Sequence, residues 1–78
     1  MEDQKIGELE RSQTEKIVVQ LKSFRGRRYM DFRLYYLADE DEWRPTQKGI
    51  TVRPDMWSQF KELVDEADRL LRDAGLLE

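Results

Sequence analysis

The chain has 78 residues and a formal net charge of −3, with 14 Lys and Arg against 17 Asp and Glu, and 40% of its residues are charged against 38% hydrophobic. Such a length admits one small domain that buries roughly 60% of the surface its unfolded form exposes, so pairing with a second copy is the expected remedy for marginal stability. Cysteine and histidine are both absent, which removes disulfides, thiol nucleophiles, Cys/His zinc sites and imidazole acid–base chemistry and points away from an enzyme.

From Met1 to Glu15 there are five acidic and two basic residues, from Lys16 to Arg53 nine basic and five acidic, and from Pro54 to Glu78 three basic and seven acidic, giving −3, +4 and −4. The net charge therefore hides a basic middle. Lys16, Lys22, Arg25, Arg27 and Arg28 follow one another with no acid between them. Because salt screens exposed charges beyond about 8 to 10 Å, a polyanion responds to this local patch rather than to the total.

Residues 1–14 contain few large apolar side chains and no aromatic, and are expected to form a flexible, acidic N-terminal tail. Ile17, Val18, Val19 and Leu21 predict a strand that enters a hairpin at Gly26. Between Arg28 and Tyr36 the residues alternate, with Met30, Phe32, Leu34 and Tyr36 on one face and Tyr29, Asp31, Arg33 and Tyr35 on the other. Asp39 to Glu42 predicts a solvated turn without the spacing of a cation-binding loop. Glu42 to Pro45 is then a short strand that Pro45 stops or confines to an edge, Thr46 to Gly49 a second turn, and Ile50 to Val52 a short last strand. At Pro54 the period changes to that of a helix, with Trp57, Phe60, Leu63, Val64, Ala67, Leu70 and Leu71 on one stripe. Pro54 suits the first helical position and Gly75 supplies a stop, which leaves residues 75–78 as a C-terminal tail. The expected fold is α+β, four antiparallel strands followed by one long amphipathic helix (ββββα). Its apolar stripe is long for one small sheet, so the seven stripe residues are the expected dimer interface.

Candidate chemistry gathers on the hairpin Phe24-Arg25-Gly26-Arg27-Arg28 and on the strand after it, where Tyr29, Arg33 and Tyr35 share a face. Guanidinium groups bind phosphates through paired N–H donors, and exposed rings stack on bases that are not already stacked in a duplex. Trp43 with Arg44, and Lys48 with Gly49, form a second basic set; Lys48-Gly49 is too short for a phosphate loop. Neither a cofactor nor a metal is implied.

The run Phe24-Arg25-Gly26-Arg27, then Met30-Asp31-Phe32-Arg33-Leu34-Tyr35-Tyr36, then Trp43-Arg44-Pro45-Thr46-Gln47-Lys48-Gly49-Ile50-Thr51-Val52, Pro54 and Trp57, resembles the C-terminal domain of the eukaryotic transcriptional positive cofactor four. The resemblance spans roughly Glu15 to Leu71, within an expected domain of residues 15–74, and implies a curved four-stranded sheet, helix-mediated dimers and paired channels for single-stranded DNA. It implies stacking for Phe24, phosphate contacts for Arg25 and Arg27, a channel-lining Arg33, a stacking Tyr36 in place of a Trp, basic contacts from Arg44 and Lys48, and close backbone approach at Gly49. Alternation puts Tyr36 on the apolar face, so either a bulge follows Arg33 or Tyr35 is the stacking residue. Gln47 stands where the family usually has a basic residue. Members of this family from eukaryotes carry a Ser- and Lys-rich segment that has no counterpart in the acidic N-terminal residues here, which suggests a minimal bacterial or phage-like member.

Two functions follow as expectations. One is a homodimeric single-stranded-DNA-binding protein acting in replication, recombination, repair or transcription. The other is a protein-interaction module, or transcriptional coactivator, that recruits transcription or replication proteins. No apolar run approaches the roughly 20 residues of a membrane span and no export signal is evident, so no membrane partner is expected. The expected compartment is the cytoplasm, associated with the nucleoid or in a phage's host, or the nucleus in a eukaryote.

Overall fold

In the computed structural model, which describes residues 3–77, the chain runs β1 (Gln4–Glu10), β2 (Glu15–Phe24), β3 (Arg27–Leu37), a 3-10 turn (Asp39–Asp41), β4 (Trp43–Val52) and α1 (Pro54–Asp73). The strands form one antiparallel sheet in the order β1-β2-β3-β4. Every strand lies beside its neighbour in sequence, and the expected ββββα architecture is the one found.

Two of the four strands are not those expected. Within the N-terminal segment read as a flexible tail, Gln4–Glu10 pairs with β2 from Gln4 opposite Leu21 to Glu10 opposite Lys16. Met1 and Glu2 lie outside the described residues, as does Glu78 at the other end of the chain. β1 buries almost nothing; Ile6 and Leu9 are 63% and 64% exposed, which is why apolar patterning does not reveal it. It is held by backbone pairing and by Glu8, whose carboxylate meets Lys5 Nζ at 2.7 Å and Lys16 Nζ at 3.1 Å. The second difference is that the two short strands and intervening turn read after Glu42 are one strand, β4. Arg33 pairs with Gly49 and Tyr35 with Pro45, so two extra β4 residues bulge opposite Leu34. An even insertion preserves which side chains face which way.

Partners directly opposite in an antiparallel pair share a face. One face therefore gathers Ile17, Val19, Leu21, Met30, Phe32, Leu34, Ile50 and Val52. α1 packs there, with Phe32 against the rings of Trp57 at 6.4 Å and Phe60 at 5.5 Å between centroids. Val18, Leu34 and Val52 are the buried apolar side chains among the described residues. The helix starts as expected at Pro54 and ends in a Schellman arrangement, in which Gly75 N–H donates to the Arg72 carbonyl at 3.0 Å and Leu76 N–H to the Leu71 carbonyl at 2.9 Å. Gly75 has φ +72°, a conformation that costs glycine little.

At about 1.5 Å per residue, the 20-residue helix is roughly 30 Å long. Its aromatic contacts with the sheet lie in the first two turns. Farther along, Leu63, Val64, Leu70 and Leu71 are 66%, 48%, 56% and 41% exposed. No helix of the described residues is long and apolar enough to cross a membrane.

The hydrogen bonds from Lys5 and Lys16 hold the Glu8 carboxyl below its ordinary value of 4.5. Because the folded value is the depressed one, the contribution of Glu8 to β1 docking is complete above the ordinary carboxylate range and is lost as pH falls through the folded value. We therefore expect the β1 amide resonances to shift on acidification, before those of the β2–β3 ladder, and Glu8→Gln to abolish that early step in an NMR titration. An unchanged titration in the variant would rule Glu8 out as the group responsible.

Candidate nucleic-acid interface

The face away from α1 is built by the same alternation. From β2 it receives Lys16, Val18, Gln20, Lys22 and Phe24; from β3, Arg27, Tyr29, Asp31, Arg33 and Tyr35; from β4, Trp43, Gly49 and Thr51. Four rings and four cationic side chains thus share one side of the sheet. Lys16 Nζ lies 4.3 Å from the centre of the Trp43 ring, and Gln20 Nε2 donates to the Tyr35 hydroxyl at 3.2 Å. Lys16 and Lys22 belong to the basic patch seen in the sequence, and the i, i+2 spacing of Lys16, Val18, Gln20 and Lys22 carries the signal that sets them on this face.

At the hairpin end, β2 and β3 are joined by Arg25 and Gly26 alone, with φ +52° and +79°. Both central residues have positive φ, as the tight turn that matches the twist of the strands requires. Glycine tolerates this, whereas a left-handed arginine costs about 1–2 kcal/mol. An arginine has been placed where Asn, Asp or Gly would fold at lower cost. Its guanidinium carbon sits 5.1 Å from the Phe24 ring centre, and Phe24 is 61% exposed. The Arg27 side chain makes no ion pair or hydrogen bond among the described residues. An open cavity of about 700 Å³ lies beside this tip, lined by Phe24, Arg27, Arg28, Tyr29, Thr51 and Arg53 and closed by the start of α1.

The middle of the face is rigid. Asp31 is 2% exposed, and Arg33 encloses its carboxylate: Nη2 donates to Oδ1 at 2.8 Å, and Nε reaches both oxygens at 3.2 Å. The remaining arm, Nη1, donates to the Thr46 carbonyl in the β4 bulge at 3.2 Å. Thr46 Oγ1 donates to the Leu34 carbonyl at 2.8 Å and accepts from the Lys48 amide at 3.1 Å. The hydrogen bond to Asp31 raises the Arg33 guanidinium above its already high value despite burial, so it stays charged. Gly49 packs directly on this pair. A Cβ there would run into the Phe32 carbonyl oxygen and lie 2.9 Å from Arg33 Cα, so close approach is what glycine supplies at this position.

The predicted residues therefore divide. Phe24, Arg27, Arg33, Tyr35, Trp43 and Gly49 come together on one face, and Arg25 caps its end. Arg28, Tyr36 and Arg44 point to the other side, because β2 and β3 pair without interruption from Glu15–Tyr36 to Phe24–Arg27. The irregularity after Arg33 is in β4, so it does not turn Tyr36 over, and Tyr35 is the ring beside Arg33. Tyr36 is 41% exposed opposite Arg44, which pairs with Glu42 at 3.3 Å. Lys48 stands exposed in the bulge at the sheet edge.

Removing one partner from a buried ion pair strands the other charge, at a cost of about 3–5 kcal/mol. Arg33→Met is expected to lose about that much stability in urea denaturation, and the double variant Arg33→Met, Asp31→Leu to recover much of it. A single variant as stable as the parent would show that the pair does not hold the bulge.

Comparison with known proteins agrees with this fold. The family described as Transcriptional Coactivator p15 (PC4) matches residues 11–63. A putative RNA polymerase II transcriptional coactivator of Caenorhabditis elegans is 34% identical over 47 residues, 59% of this chain and 38% of that protein, so the chain spans well under half of this relative's length. The crystal structure of BPSL1147, a PC4 homolog from Burkholderia pseudomallei, superposes with a TM-score of 0.77 at 30% identity, covering 86% of this chain and 98% of the other. A bacteriophage T5 homolog of the coactivator, implicated in recombination-dependent DNA replication, superposes with a TM-score of 0.68 at 27% identity over 99% of this chain and 85% of its own. With the match extending from before β2 into α1, the chain belongs to the PC4 transcriptional coactivator family.

Proposed function

We propose that this protein is a homodimer that binds single-stranded DNA with little sequence preference across the sheet face opposite α1. The observation that carries this reading is the placing of Phe24, Tyr29, Tyr35 and Trp43 among Lys16, Lys22, Arg27 and Arg33 on that face. Rings interleaved with cations suit a strand whose bases are free to stack while its phosphates meet positive charge; a duplex keeps its bases stacked on one another. Each stacked base is worth about 1–3 kcal/mol whatever its identity, which is why sequence preference is weak. The name of the T5 relative, tied to recombination-dependent replication, supports a role where strands are open.

Dimerisation is supported by the helix. Leu63, Val64, Leu70 and Leu71 form an exposed apolar continuation of the stripe that begins on the sheet with Trp57 and Phe60, and Ala67 between them leaves room for close approach. A second copy offers the same stripe. Its acidic outer residues form local pairs, Arg69 with Glu66 and Asp73, and Arg72 with Asp68 at 2.9 Å. Leu63→Glu with Leu70→Glu is expected to halve the mass measured by light scattering, from twice 9.4 kDa to 9.4 kDa. A parent that runs as a monomer at every concentration would refute the dimer.

A coactivator reading has one observation in its favour: the acidic helix surface, together with a relative named as a transcriptional coactivator. Truncating the N-terminal segment does not separate the two readings cleanly, since Gln4–Glu10 belongs to the sheet. The hairpin does. Arg25→Asn relieves the left-handed arginine and is expected to stabilise the fold by about 1 kcal/mol, while Phe24→Ala is expected to weaken binding to oligo-dT about tenfold or more and leave the melting temperature nearly unchanged. Undiminished affinity for oligo-dT in Phe24→Ala, or equal affinity of the parent for duplex and single strand, would overturn the proposed site.

A further inference from the structure

The strand path proposed above ends at the Phe24 hairpin if only the sheet is considered, yet the chain leaves β4 for α1 alongside that hairpin. Met30–Val52 is the last pair of the β3–β4 ladder, and the same register continued by one step would bring Arg53 toward Tyr29, on the face of Arg27. Arg53 is the last residue before α1, with φ −75° and ψ 154°, an extended conformation that prolongs β4. It lines the 700 Å³ cavity with Phe24, Arg27, Arg28 and Tyr29, a volume within the range of pockets that hold small ligands. Nothing in the composition of the helix start calls for an arginine here. It supplies no side-chain cap, where Ser, Thr, Asp or Asn would stabilise the helix by about 1 kcal/mol.

The partner of Arg53 within the protein is weak. Its Nε donates to Asp55 Oδ1 at 3.0 Å, with both side chains mostly exposed, 65% and 70%. Pairs of this kind are worth little in water and give way to a better anion. A phosphodiester is such an anion, since a guanidinium can hold two of its oxygens at once.

We propose that Arg53, with Arg27, forms a phosphate subsite at the junction of β4 and α1, which carries a single strand one nucleotide beyond the base stacked on Phe24. This rests on the single-stranded-DNA reading and adds a contact that lies outside the hairpin. Asp55 acts as an internal competitor that occupies the guanidinium until the phosphate arrives. Its carboxylate also tunes the site, because any anion that binds must displace it.

The test is a salt series of oligo-dT titrations with the full chain and two variants. Arg53→Gln is expected to weaken binding about tenfold, as for loss of a hydrogen bond to a charged group, and to lower the slope of log K against log salt by about 0.7, one phosphate on a single strand. Asp55→Asn, which removes the competitor, is expected to strengthen binding. Both positions are exposed, and an unchanged melting temperature would verify that each variant folds. A parent that binds while both variants keep its affinity and slope would overturn the subsite and leave the broader reading standing; a parent that does not bind oligo-dT would overturn both. Inorganic phosphate at millimolar concentration distinguishes a free-anion pocket: strong protection of Arg53 by phosphate alone, with no change in the oligo-dT slope for Arg53→Gln, would also overturn it.

Discussion

The buried Asp31–Arg33 pair is the interaction on which the rest of the sheet depends. A carboxylate 2% exposed is tolerable only if its charge is met in full, and Arg33 meets it with Nε and Nη2 while Nη1 holds Thr46 in the β4 bulge. The pair thus joins the central strand to the edge strand through side chains at the point where backbone pairing is interrupted. It also fixes the shape of the middle of the ring-bearing face, where the two charges offset each other. An arginine already committed to three oxygen acceptors contributes shape rather than a free fork, so the adaptable cations are those around it: Lys16 and Lys22 on β2, and Arg25 and Arg27 at the tip.

What could be read from the sequence followed from local physics. The alternation through β3 has a regular period and no competing pattern, and β2 pairs with it without a slip, so face assignments made from residue parity hold in the structure. The helix announced itself at both ends, through Pro54 and Gly75. β1 was hidden because an exposed edge strand is held by backbone hydrogen bonds and surface charges, neither of which leaves an apolar period. The β4 bulge resembled a turn because Pro45, Thr46 and Gly49 are turn-type residues; their role is set by Arg33, which is distant in sequence. Arg53 reads as a helix boundary in the sequence, and only the fold sets it in the cavity beside Phe24 and Arg27.

Family membership and site geometry carry different weights. The match over residues 11–63 establishes the family, and the fold agrees with bacterial and phage relatives. Within that frame the choice left open between Tyr36 and Tyr35 has a geometric answer as to face: the unbroken β2–β3 register leaves Tyr36 opposite Arg44 on the α1 side, and Tyr35 on the face of Arg33. With Val18, Leu34 and Val52 as the buried apolar residues, the described part of the chain has a small core, as expected of so short a domain.

The two outer strands share a property with a consequence for assembly. β1 is broken by a one-residue bulge at Ile6 and carries Lys5, Glu8 and Glu10, while β4 carries Pro45, which has no N–H to offer, and a two-residue bulge beside it. Neither rim presents the straight ladder of donors and acceptors that an incoming chain needs to extend the sheet. Runaway stacking of copies edge to edge is therefore blocked on both sides, even though half the molecule is bare β-structure.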